Sequence, residues 1–284
     1  MRHAISIDVE DYFHVAAFQD IVAADDWAGI PSRVQANTEK VLEIMADAGV
    51  TGTFFVLGWA AERYPSLVKA ITAAGHEVAC HGYSHRQIYN QSRADFREET
   101  RRAKAILEDQ SGTLVTGYRA ATFSITKKTL WALDELAEAG FDYDSSIFPI
   151  RHDNYGLAEA PVEPHMITGP EGGTLAEFPI SVLQMGGMKL PIAGGGYFRL
   201  FPYPVTRWGL NRIATSGRPT VFYLHPWEVD PEQPRFENAR RFSKFRHYNN
   251  LDRCESRFRR LLKDFEFTTV QNVLADQGLL EAPC

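Results

Sequence analysis

The first half of the chain alternates short apolar strands with amphipathic helices, and this alternation limits the fold more than any other feature. Residues 5–9 alternate apolar and polar side chains, which predicts a strand with one apolar face. An amphipathic helix over 37–48 stops at Gly49, and an apolar strand follows over 51–57. Strands that alternate with helices pack into a parallel sheet or barrel. We therefore predict an α/β fold.

The same helix-strand unit recurs three more times. Ser92 and Asp95 resemble a capping pair at the start of one of these helices, and Thr126 can cap another. The predicted units are helix 65–74 with strand 76–80, helix 92–107 with strand 115–119, and helix 126–140 with strand 141–145. The repetition extends the predicted parallel sheet to five strands.

The regular alternation stops after Pro149. We expect long surface loops over 151–173 and a glycine-rich loop over 193–199, with two short strands near Phe178 and Leu190 between them. The later predicted elements are helix 203–215, strand 220–224, helix 251–265 and strand 267–270. No linker interrupts the pattern, so we predict one domain over 1–284.

Composition and charge exclude several functions. The 284 residues are 44% hydrophobic, and their 36 acidic and 30 basic residues give a net charge of −6. Apart from an arginine-rich stretch over 235–260 the charges are interspersed, which argues against a nucleic-acid surface. No stretch approaches the roughly 20 apolar residues of a membrane helix, and the N-terminus lacks the apolar core of a signal peptide. The three cysteines are widely spaced, which indicates a reducing compartment, so we expect a cytoplasmic protein.

Two histidines four residues apart, His81 and His85, follow the predicted strand 76–80. Imidazole is a common ligand of borderline divalent metals, and this spacing lets both rings reach one ion if the backbone turns helically after the strand. The alternative is a hydrogen-bonded core residue at His81 and a solvated loop residue at His85. A metal site also needs a third ligand, usually a carboxylate.

Reactive side chains also follow other predicted strands. In a parallel barrel the loops at the C-terminal strand ends share one mouth, so groups that follow different strands converge there. The residues at these ends are Asp8, Glu10 and Asp11 after the first strand, His81 and His85 after the third, Arg119 after the fourth, and His225 after strand 220–224. Together they predict a metal held by two histidines and a carboxylate, with further groups for acid and base roles.

Four segments at these positions resemble the ordered motifs of the polysaccharide deacetylase family, which includes chitin and peptidoglycan deacetylases. They are Asp8-Val-Glu-Asp11, His81-Gly-Tyr-Ser-His85, Tyr118-Arg-Ala-Ala-Thr-Phe123 and Leu224-His-Pro-Trp-Glu228. The resemblance covers roughly residues 4–230 as a core, with 231–284 as an extension of the same domain. The segments 194–199 and 245–251 are similar to a subgroup associated with bacterial exopolysaccharide gene clusters.

The resemblance implies an irregular (β/α)7-type barrel and a metal-dependent hydrolase that removes N-acetyl groups from hexosamine units of a polysaccharide or its precursor. His81 and His85 match metal ligands, and zinc suits these ligand types. Asp8 matches the family's general base and His225 its general acid. Arg119 matches the residue that orients the base.

The chain departs from the family pattern at two positions. Most members have two adjacent aspartates, whereas the third ligand here is Glu10, which strand alternation places beside Asp8, or Asp11 if the chain turns after Val9. Ala121 stands where a proline is usual, so the oxyanion loop is expected to be less rigid. The expected substrate contacts are Thr122 and Phe123 in that loop, and Tyr197 and Trp227 as rings that stack on sugars.

Two other functions fit the same residues. One is an O-acetyl esterase or a small-molecule amidohydrolase on the same scaffold. The other is a sugar-binding component of a synthesis complex that has lost turnover. A cytoplasmic location would favour a lipid-linked or nucleotide-linked precursor as the substrate, and the sequence gives no indication of the oligomeric state.

Overall fold

A computed structural model describes residues 1–152 and 155–282 of the chain. Its strands follow the predicted order, with additional short strands in the second half. They are β1 His3–Val9, β2 Thr53–Val56, β3 Glu77–Cys80, β4 Gly117–Tyr118, β5 Tyr143–Asp144, β6 His165–Thr168, β7 Thr174–Glu177, β8 Val182–Met185, β9 Met188–Pro191, β10 Val221–Leu224 and β11 Phe267–Thr268.

The helices lie mainly between these strands. They are α1 Val34–Ala48, α2 Gly58–Arg63, α3 Pro65–Ala73, α4 Arg93–Ser111, α5 Trp131–Glu138, α6 Gly195–Leu200, α7 Tyr203–Ala214, α8 Arg241–Tyr248, α9 Leu251–Asp264 and α10 Val270–Asp276. The predicted capping pair is confirmed, since Ser92 Oγ accepts from Asp95 N at the start of α4. In the described ranges no helix is long and apolar enough to cross a membrane.

One curled sheet organises the molecule. Its strands pair in the order β10-β1-β2-β3-β4-β5-β7-β6, and β11 also pairs with β1. All of these pairs are parallel except β6 with β7. The predicted α/β fold with a barrel-like parallel sheet is confirmed, and strands from both halves of the chain share it. Parallel strands end at the same edge, so their C-terminal loops lie together.

The two faces of β1 have different neighbours, as its alternating sequence predicts. Ile5, Ile7 and Val9 belong to the apolar core beneath the helices, and all three are buried. Ala4 belongs to a second apolar cluster on the opposite face. Asp8 also points to that face, which carries the charged groups described below. Burial on both faces is typical of a parallel strand.

The second half contains elements that the sequence pattern did not indicate. The strand β6 lies in the stretch expected to be a loop, and no element was predicted over β8. The helix α10 begins at Val270, where the predicted last strand ends. The segment expected to be a glycine-rich loop forms α6 instead. Gly194 forms a parallel bridge with Tyr223 of β10, and a Cβ at Gly194 would lie 2.1 Å from the Tyr223 carbonyl oxygen. The glycine therefore allows α6 to approach the sheet closely.

Candidate metal and catalytic site

Three predicted ligands converge where β1 and β3 end. One ligand atom from each of Glu10, His81 and His85 lies within 4.8 Å of the others, and all three side chains are buried. Glu10 Oε2 is 2.6 Å from His85 Nε2, yet this buried oxygen has no aligned hydrogen-bond donor. Two imidazoles and a carboxylate with unsatisfied buried atoms match the donor set of a zinc or similar divalent site. The residues present therefore fit such an ion.

Hydrogen bonds and burial set the chemical state of two of these residues. His81 Nδ1 lies 2.8 Å from the carbonyl oxygen of Arg119, so Nδ1 carries the proton and Nε2 has a free lone pair. Burial lowers the pKa of His81 to about 4, which keeps the ring neutral at pH 7. Burial raises the pKa of Glu10, but the His85, His225 and His81 rings outweigh it and hold the pKa below its ordinary value.

The backbone between the two histidines is a bend rather than the helical turn expected from their spacing. Gly82 has a φ of 74° and His85 a φ of 51°, both in the left-handed region. This region is uncommon for a residue other than glycine, and such residues concentrate at functional sites. The bend brings the two rings to a centroid distance of 5.4 Å.

Asp11, the alternative third ligand, lies elsewhere. Its carboxylate accepts from Ser32 Oγ at 2.5 Å and from the backbone N–H groups of Arg33 and Val34 at the start of α1. The Asp11 carboxylate thus satisfies N–H groups at the start of α1 that have no partner within the helix. Because β1 ends at Val9 and Glu10 stays on the Asp8 side, only Glu10 of these two acids reaches the histidines.

Asp8 forms a buried ion pair with Arg119. Arg119 Nη1 donates to Asp8 Oδ1 at 2.6 Å and to Ser6 Oγ at 2.8 Å. Its Nε and Nη2 donate to the backbone oxygen and Oγ of Ser145, and its guanidinium lies over the ring of Phe55. These contacts fix the position of the guanidinium, and through it Arg119 holds one oxygen of Asp8 in place.

His225 is held by a second buried network. Its Nδ1 and its backbone N–H both lie 2.9 Å from Glu228 Oε2, within the 3-10 turn Pro226–Val229. Its Nε2 is 3.5 Å from Glu10 Oε1. Burial would lower the pKa of His225, but the hydrogen bond that its Nδ1–H donates to Glu228 and the charges of Glu10 and Glu228 raise it to about 9.

Arg199 completes this second network. It is 2% exposed, and its Nε donates to Glu228 Oε1 at 2.6 Å. Its other nitrogens donate to backbone oxygens of Arg246, His247 and Asn249. We assigned no role to Glu228 or Arg199 from the sequence. The sequence feature that could have indicated Glu228 is its position three residues after His225, with a proline between them. Arg199 lies 29 residues before Glu228, so local spacing could not have indicated their contact.

Trp227 does not present a ring face to a sugar, contrary to the expectation. It is 4% exposed and stacks between His225 and His247, with centroid distances of 5.1 and 4.2 Å. Its Nε1 donates to Glu10 Oε1 at 3.3 Å. Its place is therefore beneath the site, where it supports Glu10 and His225.

The other expected substrate contacts lie at the rim of the site. Thr122 and Phe123 have left-handed φ values of 55° and 52°, in the turn that follows Ala121. The ring of Phe123 packs against Tyr223 and Tyr155, and Tyr197 on α6 is half-buried. Phe123 is linked to the site through Tyr223, whose ring also contacts His225.

A cleft of about 640 Å³ opens beyond Tyr155. Loops after β3, β4 and β5 line it, with Tyr89, Lys128 and Arg151 among their residues. A chain of ring contacts links Tyr155 to the site: Tyr155 meets Phe123, Phe123 meets Tyr223, and Tyr223 meets His225. A cleft of this size accepts a ligand larger than a single acyl group.

Comparison with known families divides the chain. Residues 22–143 match the model described as polysaccharide deacetylase, and residues 145–275 match a domain of unknown function (DUF3473). This deacetylase match covers less than half of the chain. His81, His85 and Arg119 lie in the deacetylase match and His225 in the second match, so the site joins both segments. Glu10 and Asp8 precede both.

Among curated proteins, the chain is 30% identical over 99 residues to a peptidoglycan-N-acetylglucosamine deacetylase of Bacillus cereus. That match covers 34% of this chain and 36% of the relative, so the chain spans about a third of the length of that protein. The similarity is therefore to part of that relative and not to its whole length.

Two solved structures resemble the complete fold. A candidate polysaccharide deacetylase from Mycobacterium smegmatis has a TM-score of 0.62 at 21% identity and covers 99% of this chain and 92% of its own. A structure titled Puue allantoinase has a TM-score of 0.60 at 14% identity and covers 98% and 91%. At these identities the similarity shows the fold.

Proposed function

We propose that the protein is a metal-dependent carbohydrate deacetylase that hydrolyses N-acetyl groups of hexosamine units. The observation that carries this proposal is the buried cluster of Glu10, His81 and His85 beside the Asp8–Arg119 pair. The deacetylase family match over residues 22–143 supports it. The described chain would act as one domain, because strands from both halves build the sheet edge that carries these groups.

Glu10 Oε2 and the Nε2 atoms of His81 and His85 would hold the ion, for which zinc is the proposed identity. The bound ion would polarise the acetyl carbonyl and lower the pKa of a water molecule. The chain's own residues then supply the proton transfers.

Asp8 is the proposed general base. Arg119 occupies one carboxylate oxygen, which leaves the other to accept the proton of the attacking water. His225 is the proposed general acid, because Glu228 fixes Nδ1 and leaves Nε2 to face the site. That nitrogen would donate its proton to the amine nitrogen as the C–N bond breaks, which gives acetate and a free amino sugar.

The large cleft supports a saccharide rather than a small amide as the substrate. It lies at the same sheet edge as the site and is lined by Tyr89 and Tyr155, whose rings offer stacking surfaces, and by cationic side chains. We propose that neighbouring sugar units occupy it. A role in bacterial exopolysaccharide synthesis is supported by the likeness of segments 194–199 and 245–251 to that subgroup.

Acetate release from matched sugars tests this function. Zinc-loaded protein is incubated separately with two substrates: N-acetylglucosamine oligomers, and O-acetylated glucosamine oligomers whose amino groups are free. The Asp8→Asn variant is the control for loss of activity. Release from the N-acetyl series alone is the expected result. Release from the O-acetyl series alone would replace the amidase with an esterase, and no release from either series would contradict turnover.

Two neighbouring acids give a test of the proposed ligand. We expect Glu10→Gln to abolish zinc binding, since an amide is a weak ligand in place of a carboxylate. Asp11→Asn should leave zinc binding within a few-fold and lower the free energy of unfolding by about 1 kcal/mol, the usual value for a helix cap. Zinc titration and urea unfolding of both variants measure these effects. The reverse pattern would assign the ligand to Asp11.

A further inference from the structure

The two ligand histidines differ in how their outer ring nitrogens are satisfied. His81 Nδ1 donates to the Arg119 carbonyl oxygen at 2.8 Å, whereas His85 Nδ1 is buried without a partner. A metal-binding imidazole almost always donates its second N–H to a carboxylate, a carbonyl or a water. Since His85 Nε2 faces Glu10, the Nδ1–H group needs an acceptor on the other side of the ring.

A small cavity borders His85, and Glu10, which faces Nε2, is absent from its lining. Its volume is about 10 Å³, and its lining also includes His81, Gln91, Thr100 and Tyr118. Gln91 Nε2 donates to the Arg86 carbonyl oxygen at 2.8 Å, which fixes the orientation of the amide. Gln91 Oε1 is then a second buried atom without a partner at the same cavity.

The nearby ring of His14 cannot accept this proton. The backbone N–H of Asp11 donates to His14 Nδ1 at 2.9 Å, so His14 Nε2 carries a proton itself. A water molecule can accept from one partner and donate to another, and a cavity of roughly 10–15 Å³ is enough for one. His85 Nδ1 and Gln91 Oε1 both belong to residues that line this cavity, and neither has a partner within the protein. A water molecule between them would accept from the first and donate to the second.

We propose that a buried water molecule in this cavity accepts from His85 Nδ1–H and donates to Gln91 Oε1. Gln91 is thereby a positioning residue for His85, which it reaches through the water. The bridge holds the proton on Nδ1 and the ring in place, so the lone pair of Nε2 stays directed toward the ion. This inference rests on the metal site of the proposed function.

The chain offers a matched control for the test. Gln110 has the same bonding as Gln91, since its Nε2 donates to the Ala61 carbonyl oxygen at 3.0 Å and its Oε1 is buried without a partner. Gln110 is absent from the cavity lining. Gln91→Leu and Gln110→Leu therefore remove equivalent groups, one beside His85 and the other away from it.

The measurement is the zinc dissociation constant of each variant, obtained by competition with a chromogenic chelator. We expect Gln91→Leu to bind zinc about 10–100-fold more weakly than the unmodified protein, and Gln110→Leu to bind within about threefold of it. Gln91→Met, in which the side chain is close to glutamine in length, is expected to weaken zinc binding by the same factor. It replaces the leucine variant if that variant does not fold. Gln91→Glu keeps an oxygen acceptor and should bind more tightly than Gln91→Leu.

Each contrary outcome has a separate meaning. Unchanged zinc affinity in Gln91→Leu or Gln91→Met, or an equal loss in Gln110→Leu, would overturn the water bridge while the metal site stands. Failure of the unmodified protein to bind zinc would overturn the proposed function and this inference with it.

Discussion

Replacing Asp8 with asparagine is expected to lower kcat for acetate release by about 10²–10⁴-fold, the range of a lost general base. Asparagine keeps the side-chain shape, and its amide oxygen can still accept from Arg119 Nη1. The variant therefore loses the proton acceptor without losing the surrounding packing. Steady-state kinetics with zinc content measured on the same sample separate this effect from a loss of the ion.

Asp134→Asn is the matched control for that variant. Asp134 is also buried, and its carboxylate accepts from the backbone N–H groups of Glu171 and Gly173, away from the ligand cluster. The control should keep kcat within about threefold, because it changes a helix-to-loop contact only. A kcat for Asp8→Asn within tenfold of the unmodified protein would contradict its assignment as the base.

Replacing Arg119 with methionine is expected to lower the free energy of unfolding by about 3–5 kcal/mol, because it leaves the Asp8 carboxylate buried without its partner. Arg119 is fully buried, and Ser6 and Ser145 would lose hydrogen-bond partners as well. Urea unfolding measures the loss. The same variant should also lower kcat, since nothing then orients Asp8.

A double variant separates the charge from the packing in this result. Arg119→Met combined with Asp8→Asn should be destabilised by less than the sum of the two single changes, because it removes both buried charges. Strict additivity would contradict an energetic coupling between Asp8 and Arg119.

The sequence predicted those parts of the fold in which a strand or helix pattern continues over several residues. Apolar alternation and helix caps located β1 and α4 to within a few residues. The strands β6 and β8 were not predicted because each has only four residues in a region of loop-like composition. Each pairs antiparallel with a neighbouring strand. Their pairing, rather than their own sequence, makes them strands.

The candidate site was predictable where one local rule governs a side chain. Strand alternation favoured Glu10 over Asp11, and in the structure Glu10 lies with the two histidines. Trp227 shows the limit of such rules, since its type suggested a sugar platform while His247, 20 residues later in the chain, covers one of its faces. Long-range partners of this kind leave no trace in local spacing.

Glu228 and Arg199 illustrate the same limit in the support of His225. They lie in the segments 224–228 and 194–199, but their buried ion pair is set by the approach of α6 to β10 through Gly194. Sequence spacing alone gives no distance between those elements.

Elemental analysis of the purified protein, after incubation with zinc and removal of free metal, tests whether Glu10, His81 and His85 hold a divalent ion. We expect about one ion per chain in the unmodified protein, its loss in His81→Ala, His85→Ala and Glu10→Gln, and its retention in Asp8→Asn. An unmodified protein that holds no zinc and no other added divalent ion would contradict the proposed metal site.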